Sequence, residues 1–333
     1  MSITLVALDE ANRGALHTHL RESRSLDWTD ARLEEFVDWR YFARQDADTL
    51  LAVTQGRCVA MIDSLVRDYG ETGSRHRVRE TAEWSCQPQY RAMGLGLQVL
   101  RRMMRRQEPI LAVRGTDETQ ALLPRLGWTR LPDVVLLNAN LDWSRRARDL
   151  ASSLSGFFGV HGTDSRDFLA KLAVPTAADL ETLASCASVF TPLLGVWEIE
   201  WFARAPHEAG EFFWVRLERQ GRGVGIALAR VYRARGQVRG KVIHAASADP
   251  AGLVPLLTGV VREFRRRSVA RVAARASAPT TVTAYRACGF GASARTHPVF
   301  WWRGAGAFEA PKNTDLSYLR GDDSVRPFAG SED

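Results

Sequence analysis

Cysteine is scarce in this chain of 333 residues. The four present, Cys58, Cys86, Cys186 and Cys288, lie far apart without Cys-x-x-Cys spacing, which argues against a disulfide framework or a zinc site. No metal is therefore expected. Lysine is scarcer still, at Lys171, Lys241 and Lys312 alone, so the net charge of +7 and the pI near 9.6 rest almost wholly on arginine. A basic balance suits an anionic partner. Arginine in place of lysine is also what GC-rich coding produces, so a nucleic-acid partner such as tRNA is disfavoured but left open. No apolar run approaches the ~20 residues that cross a bilayer. The opening stretch, Met1 to Asp9, has no basic segment and soon meets an acid. It reads as a strand and not a secretory leader. A cytoplasmic setting without a membrane partner is expected.

What is present is long enough for two domains, with the 45% hydrophobic and 25% charged content of a globular protein. The most telling stretch is Gln87-Pro88-Gln89-Tyr90-Arg91-Ala92-Met93-Gly94-Leu95-Gly96. It separates a strand-like run, Glu80 to Cys86, from a helix-like run, Leu95 to Arg106. A strand, a glycine-bearing loop and a helix start together build an anion site. Gly94 and Gly96 let a phosphate approach the main chain, and the free N–H groups of the first helical turn point at it. Arg91 adds a fixed charge with a forked donor set. The dinucleotide fingerprint is excluded, because the glycines are too few and no acid follows at the ribose distance.

The form Pro-x-Tyr-Arg-x-x-Gly-x-Gly resembles the acyl-CoA pyrophosphate loop of the GNAT superfamily of N-acyltransferases. The order of elements around it is similar to that family over residues 1 to 143. Strand Ile3 to Leu8 is followed by helices Asn12 to Leu20 and Ala31 to Phe42, then strands Leu50 to Thr54 and Cys58 to Val66. A charged excursion, Arg67 to Arg77, precedes the strand and loop. After the helix come strand Ile110 to Val113, a helix capped by Thr116 or Asp117, Leu126-Gly127-Trp128, and strand Val134 to Leu141.

The second half repeats the first. Tyr41-Phe42-Ala43-Arg44 returns as Trp201-Phe202-Ala203-Arg204, Gln55-Gly56-Arg57 as Gln220-Gly221-Arg222, and Leu126-Gly127-Trp128 as Cys288-Gly289-Phe290, at offsets of 160, 165 and 162 residues. The fold expected is α/β: two GNAT-like mixed-sheet units in tandem, the sheets flanked by helices. Residues 1–143 form the acyl-CoA-binding unit, 144–170 a linker, 171–303 a degenerate copy and 304–333 a tail. In the copy, Leu253, Leu256 and Thr258 stand for Arg91, Gly94 and Gly96, and Pro255 falls in the same stretch. One CoA is therefore expected, not two. Within the tail, Leu316, Tyr318 and Leu319 are candidates to dock, and Asp322 and Asp323 to stay near solvent.

The resemblance implies that Trp84, Ser85 and Cys86 offer a strand edge to the pantetheine arm. It also implies that the amides of Arg91, Ala92, Met93, Gly94, Leu95 and Gly96 hold the pyrophosphate. Acyl transfer to an amine needs a base. Glu80 and Glu83 are the candidates on the strand, expected on opposite faces by alternation, with Glu80 favoured because it stands where several family members place a base. The tyrosine that often protonates the leaving thiolate is replaced by Leu123. Its counterpart in the copy, Tyr285, is a subsidiary candidate with an ordinary packing role as its rival. The activity implied is transfer from an acyl-CoA, acetyl-CoA first, to a primary amine of a small molecule. Two rivals remain: a Fem-like transferase fed by aminoacyl-tRNA, which also pairs two such units, and a CoA-binding scaffold without catalysis.

Overall fold

A computed structural model of the chain describes residues 2–24, 28–44, 47–71, 73–141, 167–234, 236–304 and 308–317. The first half runs β1 (Thr4–Ala7), α1 (Arg13–Arg24), α2 (Asp30–Val37), β2 (Ala47–Thr54), β3 (Arg57–Glu71), β4 (Ser74–Cys86), a single turn α3 (Pro88–Arg91), α4 (Leu95–Met103), β5 (Ile110–Val113), α5 (Asp117–Arg125) and β6 (Thr129–Asn140). The second runs β7 (Phe168–Leu172), α6 (Ala177–Cys186), β8 (Thr191–Pro192), α7 (Val196–Ala203), β9 (Glu211–Arg219), β10 (Arg222–Ala234), β11 (Gln237–Ser247), α8 (Leu253–Arg266), β12 (Arg271–Ala276), α9 (Pro279–Ala287) and β13 (Gly291–Trp302).

The repeat is written into the backbone. Gln55-Gly56 and Gln220-Gly221 both take positive φ (48° and 73°; 51° and 77°), so the β2–β3 and β9–β10 hairpins close through equivalent turns whose twist matches that of the strands. Gly127 and Gly289, at φ 86° and 88°, end α5 and α9 in the left-handed conformation that glycine adopts without steric cost.

Several boundaries differ from the sequence expectation. The excursion at Arg67 to Arg77 is the far end of a long β3–β4 hairpin, paired from Ala60↔Cys86 to Glu71↔Ser74. Its charged residues belong to a ladder because strand pairing continues beyond the apolar pattern. Helix α4 ends at Met103, not Arg106, and Asp38–Phe42 forms a π-turn after α2. The expected linker lies mostly outside the described residues, but Phe168–Leu172 pairs with β9, so it ends before residue 170.

The two units do not keep separate sheets. The order β1-β2-β3-β4-β5-β13-β6-β12-β11-β10-β9-β7 is one continuous sheet in which each half receives the last strand of the other. β13 lies between β5 and β6, and β6 between β12 and β13. Helices cover both faces. α4 buries Leu95, Val99, Leu100 and Met103 on the first unit, while Arg101, Arg102, Arg105 and Arg106 stay exposed. α8 buries Leu256, Val260 and Phe264 on the second. On the other face the halves meet at Trp39 and Trp201. Their rings stack at 4.4 Å, and each indole N–H donates to the other's carbonyl at 2.8 Å. This reciprocity is that of a pseudo-two-fold axis, with the two tryptophans in one shared core. Among the described residues no helix is long and apolar enough to cross a membrane.

Candidate active site

β4 and β5 run parallel but pair only at Arg79↔Ile110 and Glu80↔Leu111. Beyond that point β5 pairs with β13 and β4 with β3 alone, so the β4 edge from Ala82 to Cys86 is left open. The split holds a cavity of about 380 Å3, lined in part by Thr81, Ala82, Glu83 and Trp84 on β4 and by Arg114, Gly115 and Thr116 beyond β5. Leu100, Leu123 and Trp128 give it an apolar wall. Trp84, Ser85 and Cys86 therefore do form the tail of an unpaired strand edge.

At the end of that edge the chain turns through α3 into α4. Gly94 caps the helix at φ 68°, ψ 21°, with open space where a Cβ would stand. Glycine is needed here for its conformation, since the left-handed region costs other residues about 1–2 kcal/mol. At Gly96 the reason is contact: a Cβ would lie 3.4 Å from the Trp84 indole nitrogen, which donates to the Gly96 carbonyl at 2.9 Å. The amides of Met93 and Gly94 are taken by Tyr90 and Arg91 carbonyls and that of Gly96 meets the Cys86 sulfur, leaving the rest of the first turn of α4, from Leu95, as the donor set. Ala92 and Met93 are exposed, and the Arg91 Nε donates to the Cys86 carbonyl at 3.3 Å. Burial pushes the Cys86 thiol up, opposed by the Gly96 amide, so its sulfur is a neutral neighbour of the loop.

The two glutamates do not lie on opposite faces. Glu83 pairs with Asp63 and Thr81 with Ser64, so Ala82 is an extra residue in β4, a β-bulge. Glu80 is opposite Leu65 and Glu83 opposite Asp63, two positions apart on regular β3, which puts both carboxylates on one face. Alternation failed because the bulge inserts one residue between them. Their surroundings differ. Glu83 lines the cavity and accepts from the Tyr41 hydroxyl at 3.0 Å; Tyr41 is presented by the π-turn. Glu80 is fully buried. It accepts from the Tyr69 hydroxyl at 2.5 Å and lies 3.7 Å from the Arg67 guanidinium, which also pairs with Glu198 of the second half at 3.0 Å. Burial lifts the Glu198 carboxyl to about 7 against the pull of Arg67.

Other expected residues sort as follows. Ser85 is on the same face as Glu83, and its hydroxyl is 2.8 Å from the Nε2 of buried His19. The His19 Nδ1 lies 3.1 Å from the Cys58 carbonyl; a carbonyl only accepts, so Nδ1 donates, and in the neutral ring Nε2 accepts from Ser85. Leu123 is buried in the cavity wall, with no acidic proton to give. Tyr285 is packed in the second unit's core against Phe290 at 5.1 Å and does not line the cavity, which corrects its candidacy as the acid. The bulge, the Tyr41–Glu83 bond and the Ser85–His19 pair had no signal in linear spacing. The N-cap Thr116 after a strand was the one trace of the cavity's second wall.

No family model and no curated protein matches the chain. Solved structures do. A GCN5-related N-acetyltransferase from Anabaena variabilis superimposes with a TM-score of 0.63 at 10% identity, over 90% of this chain and 72% of that one. The fold is a tandem GNAT fold. A tandem GNAT protein from the clavulanic acid biosynthesis pathway matches at TM-score 0.54 and 14% identity, over 92% of this chain and all of that one. Saccharomyces cerevisiae N-myristoyltransferase with bound myristoyl-CoA matches at 0.60 and 13%, over 97% and 88%. On this GNAT frame the open edge of β4, the Gly94 turn and the start of α4 lie along one path.

Proposed function

We propose that this protein is an acyl-CoA-dependent N-acyltransferase whose first unit binds the thioester in the β4–β5 cleft and transfers the acyl group to a primary amine of a small molecule. The observation that carries the reading is that path itself: an unpaired strand edge leading to a left-handed glycine and free helix amides, with a carboxylate at its inner end. The edge suits the amide-bearing pantetheine arm, and the loop with Arg91 suits the pyrophosphate.

Glu83 is the base in this reading, in place of Glu80. It lines the cleft, whereas Glu80 is sealed by Tyr69 and Arg67. An ammonium nucleophile must lose a proton before its lone pair attacks the thioester carbonyl, and Glu83 takes it directly or through one water. Tyr41 holds the carboxylate in place. The C–S bond then breaks and the sulfur leaves as thiolate. A thiolate is a far weaker base than an alkoxide, so the leaving group needs less help from an acid, which makes leucine at position 123 tolerable. Acetyl-CoA is the first donor to try. Myristoyl-CoA in one structural neighbour keeps longer chains in the trial set.

Titration calorimetry with acetyl-CoA tests the reading. One site per chain is expected; two equivalent sites refute the account of the second unit, and no binding refutes the reading. Mass spectrometry of ligand released from native protein identifies the acyl chain.

A further inference from the structure

The second unit has the same split between a bulged strand and its neighbour, and something fills it. In β11, Ile243 is an extra residue between Val242, opposite Ala229, and His244, opposite Leu228. It is the counterpart of Ala82, so His244 stands where Glu83 stands. Ser277, Ala278 and Thr281 stand where Gly115, Thr116 and Thr119 line the first cavity. Yet the space left here is only about 110 Å3.

The occupant is the chain's own segment 313–317, bridged to Phe190 through Thr314. Its contacts are specific. The Asp315 carboxylate accepts from the Thr281 hydroxyl at 2.6 Å and from the Ala278 amide at 3.3 Å, at the start of α9. Ser277 donates to the Thr314 carbonyl at 2.7 Å and accepts from the Leu316 amide at 2.9 Å. Thr191 donates to the Asp315 carbonyl at 3.1 Å, and Ser317 meets His244 Nδ1 at 3.1 Å. Leu316 is buried beside Phe190, Tyr69 and Trp301. The segment thus reads as a peptide: main-chain groups matched by hydroxyls, one carboxylate on a threonine hydroxyl and the amide just ahead of α9, one apolar side chain in a pocket.

We propose that the cleft of the second unit is an acidic-peptide site, occupied in cis by residues 313–317. The glycine loop that would admit a pyrophosphate is replaced by an early start of α8, while the Thr281 hydroxyl and the Ala278 amide hold a carboxylate. Under the function proposed above, the two clefts would each take an anionic, amide-bearing ligand. A peptide of the same chemistry therefore competes for it in trans.

Hydrogen exchange on the full chain tests this. Asp315→Asn is expected to speed exchange at least tenfold in residues 277–282 and 308–317 and at Phe190, whose amide donates to the Asn313 carbonyl, and nowhere else. A synthetic peptide of sequence Pro-Lys-Asn-Thr-Asp-Leu-Ser in excess should restore protection in 277–282, and the same peptide with asparagine for aspartate should not. Thr281→Val, nearly isosteric, should give the same local pattern with a smaller rise and keeps the test open if the first variant does not fold. Unchanged exchange, acceleration spread over the whole chain, protection by acetyl-CoA in place of peptide, no rescue by peptide, or failure of both variants to fold would each overturn the proposal. The outcome is independent of whether the first unit proves to bind acyl-CoA.

Discussion

Two clefts in this molecule start from one backbone and end differently. Both open where a strand gains an extra residue, Ala82 in one and Ile243 in the other, and both are walled by a helix whose first turn carries a threonine. The first keeps a left-handed Gly94 and an open cavity with Glu83 in its wall. The second loses the loop, carries His244 at Glu83's place and is closed by Asp315 and Leu316. The comparison teaches which features of a duplicated fold persist. A bulge is held by hydrogen bonds on both sides of a strand and by the core beneath it, and both halves carry one. A surface loop has few such constraints and changes first.

The strongest way to break the comparison is at Glu83 and His244, the residues that follow the two bulges. Glu83→Gln should lower turnover by about two to four powers of ten near neutral pH, with the loss shrinking as pH rises and more of the amine is already deprotonated. Acyl-CoA affinity should barely move. His244→Gln, the matching change in the second cleft, should leave turnover within a few-fold. If Glu80→Gln and not Glu83→Gln abolishes turnover in folded protein, the base is the buried carboxylate after all.

A stability measurement is the next largest. Burial, helped by the nearby Arg67 charge, pushes the His244 imidazole down to about 3, while Glu198 is lifted to about 7 by burial. The unfolded chain binds a proton on His244 below its ordinary value of 6.5, and the native state does not. This group therefore costs stability as pH falls. Glu198 acts in the opposite sense: the native state binds its proton between 4.5 and 7, and that stability is lost as pH rises. From pH 6.5 to 4.5 the two offset each other. In Glu198→Gln only the His244 contribution remains, so relative to the parent chain stability should fall by about 1.4 kcal/mol per pH unit over that window. Urea unfolding at several pH values reads this, and parallel curves for the two proteins would refute it.

The smallest effect concerns the loop. Gly94→Glu forces a side chain into the left-handed region and adds a negative charge beside the helix amides. CoA affinity should drop at least about tenfold, since about 1.4 kcal/mol is a factor of ten. Thermal unfolding of the free protein should shift down by only a few degrees, the cost of about 1–2 kcal/mol for a left-handed side chain, with no added clash because the site of the missing Cβ is open space. Unchanged affinity would make the loop an ordinary turn and erase the distinction between the clefts.

The sequence by itself determined what depends on local conformation. Gly94 had to be left-handed for a chain leaving β4 to start α4 within a short loop, and Gly127 and Gly289 ended their helices for the same reason. The duplication was legible because Gln-Gly turns and Phe-Ala-Arg segments recur at nearly constant spacing. The tail's Leu316 was legible as an apolar residue in a polar stretch; Tyr318, Leu319, Asp322 and Asp323 lie outside the described residues. Tertiary structure alone decided the rest. Whether Glu80 or Glu83 faces the cleft depends on one bulged residue, whose insertion is paid in hydrogen bonds between β3 and β4 and leaves no mark in composition. The exchange of β6 and β13 depends on which edges are free when two sheets meet, since unpaired strand edges seek partners wherever the chain brings them. The burial of Glu80 with Arg67 and Glu198 joins residues from both halves. Local pattern reports the conformation a residue prefers; only packing across the chain decides which of two similar carboxylates is left within reach of a substrate.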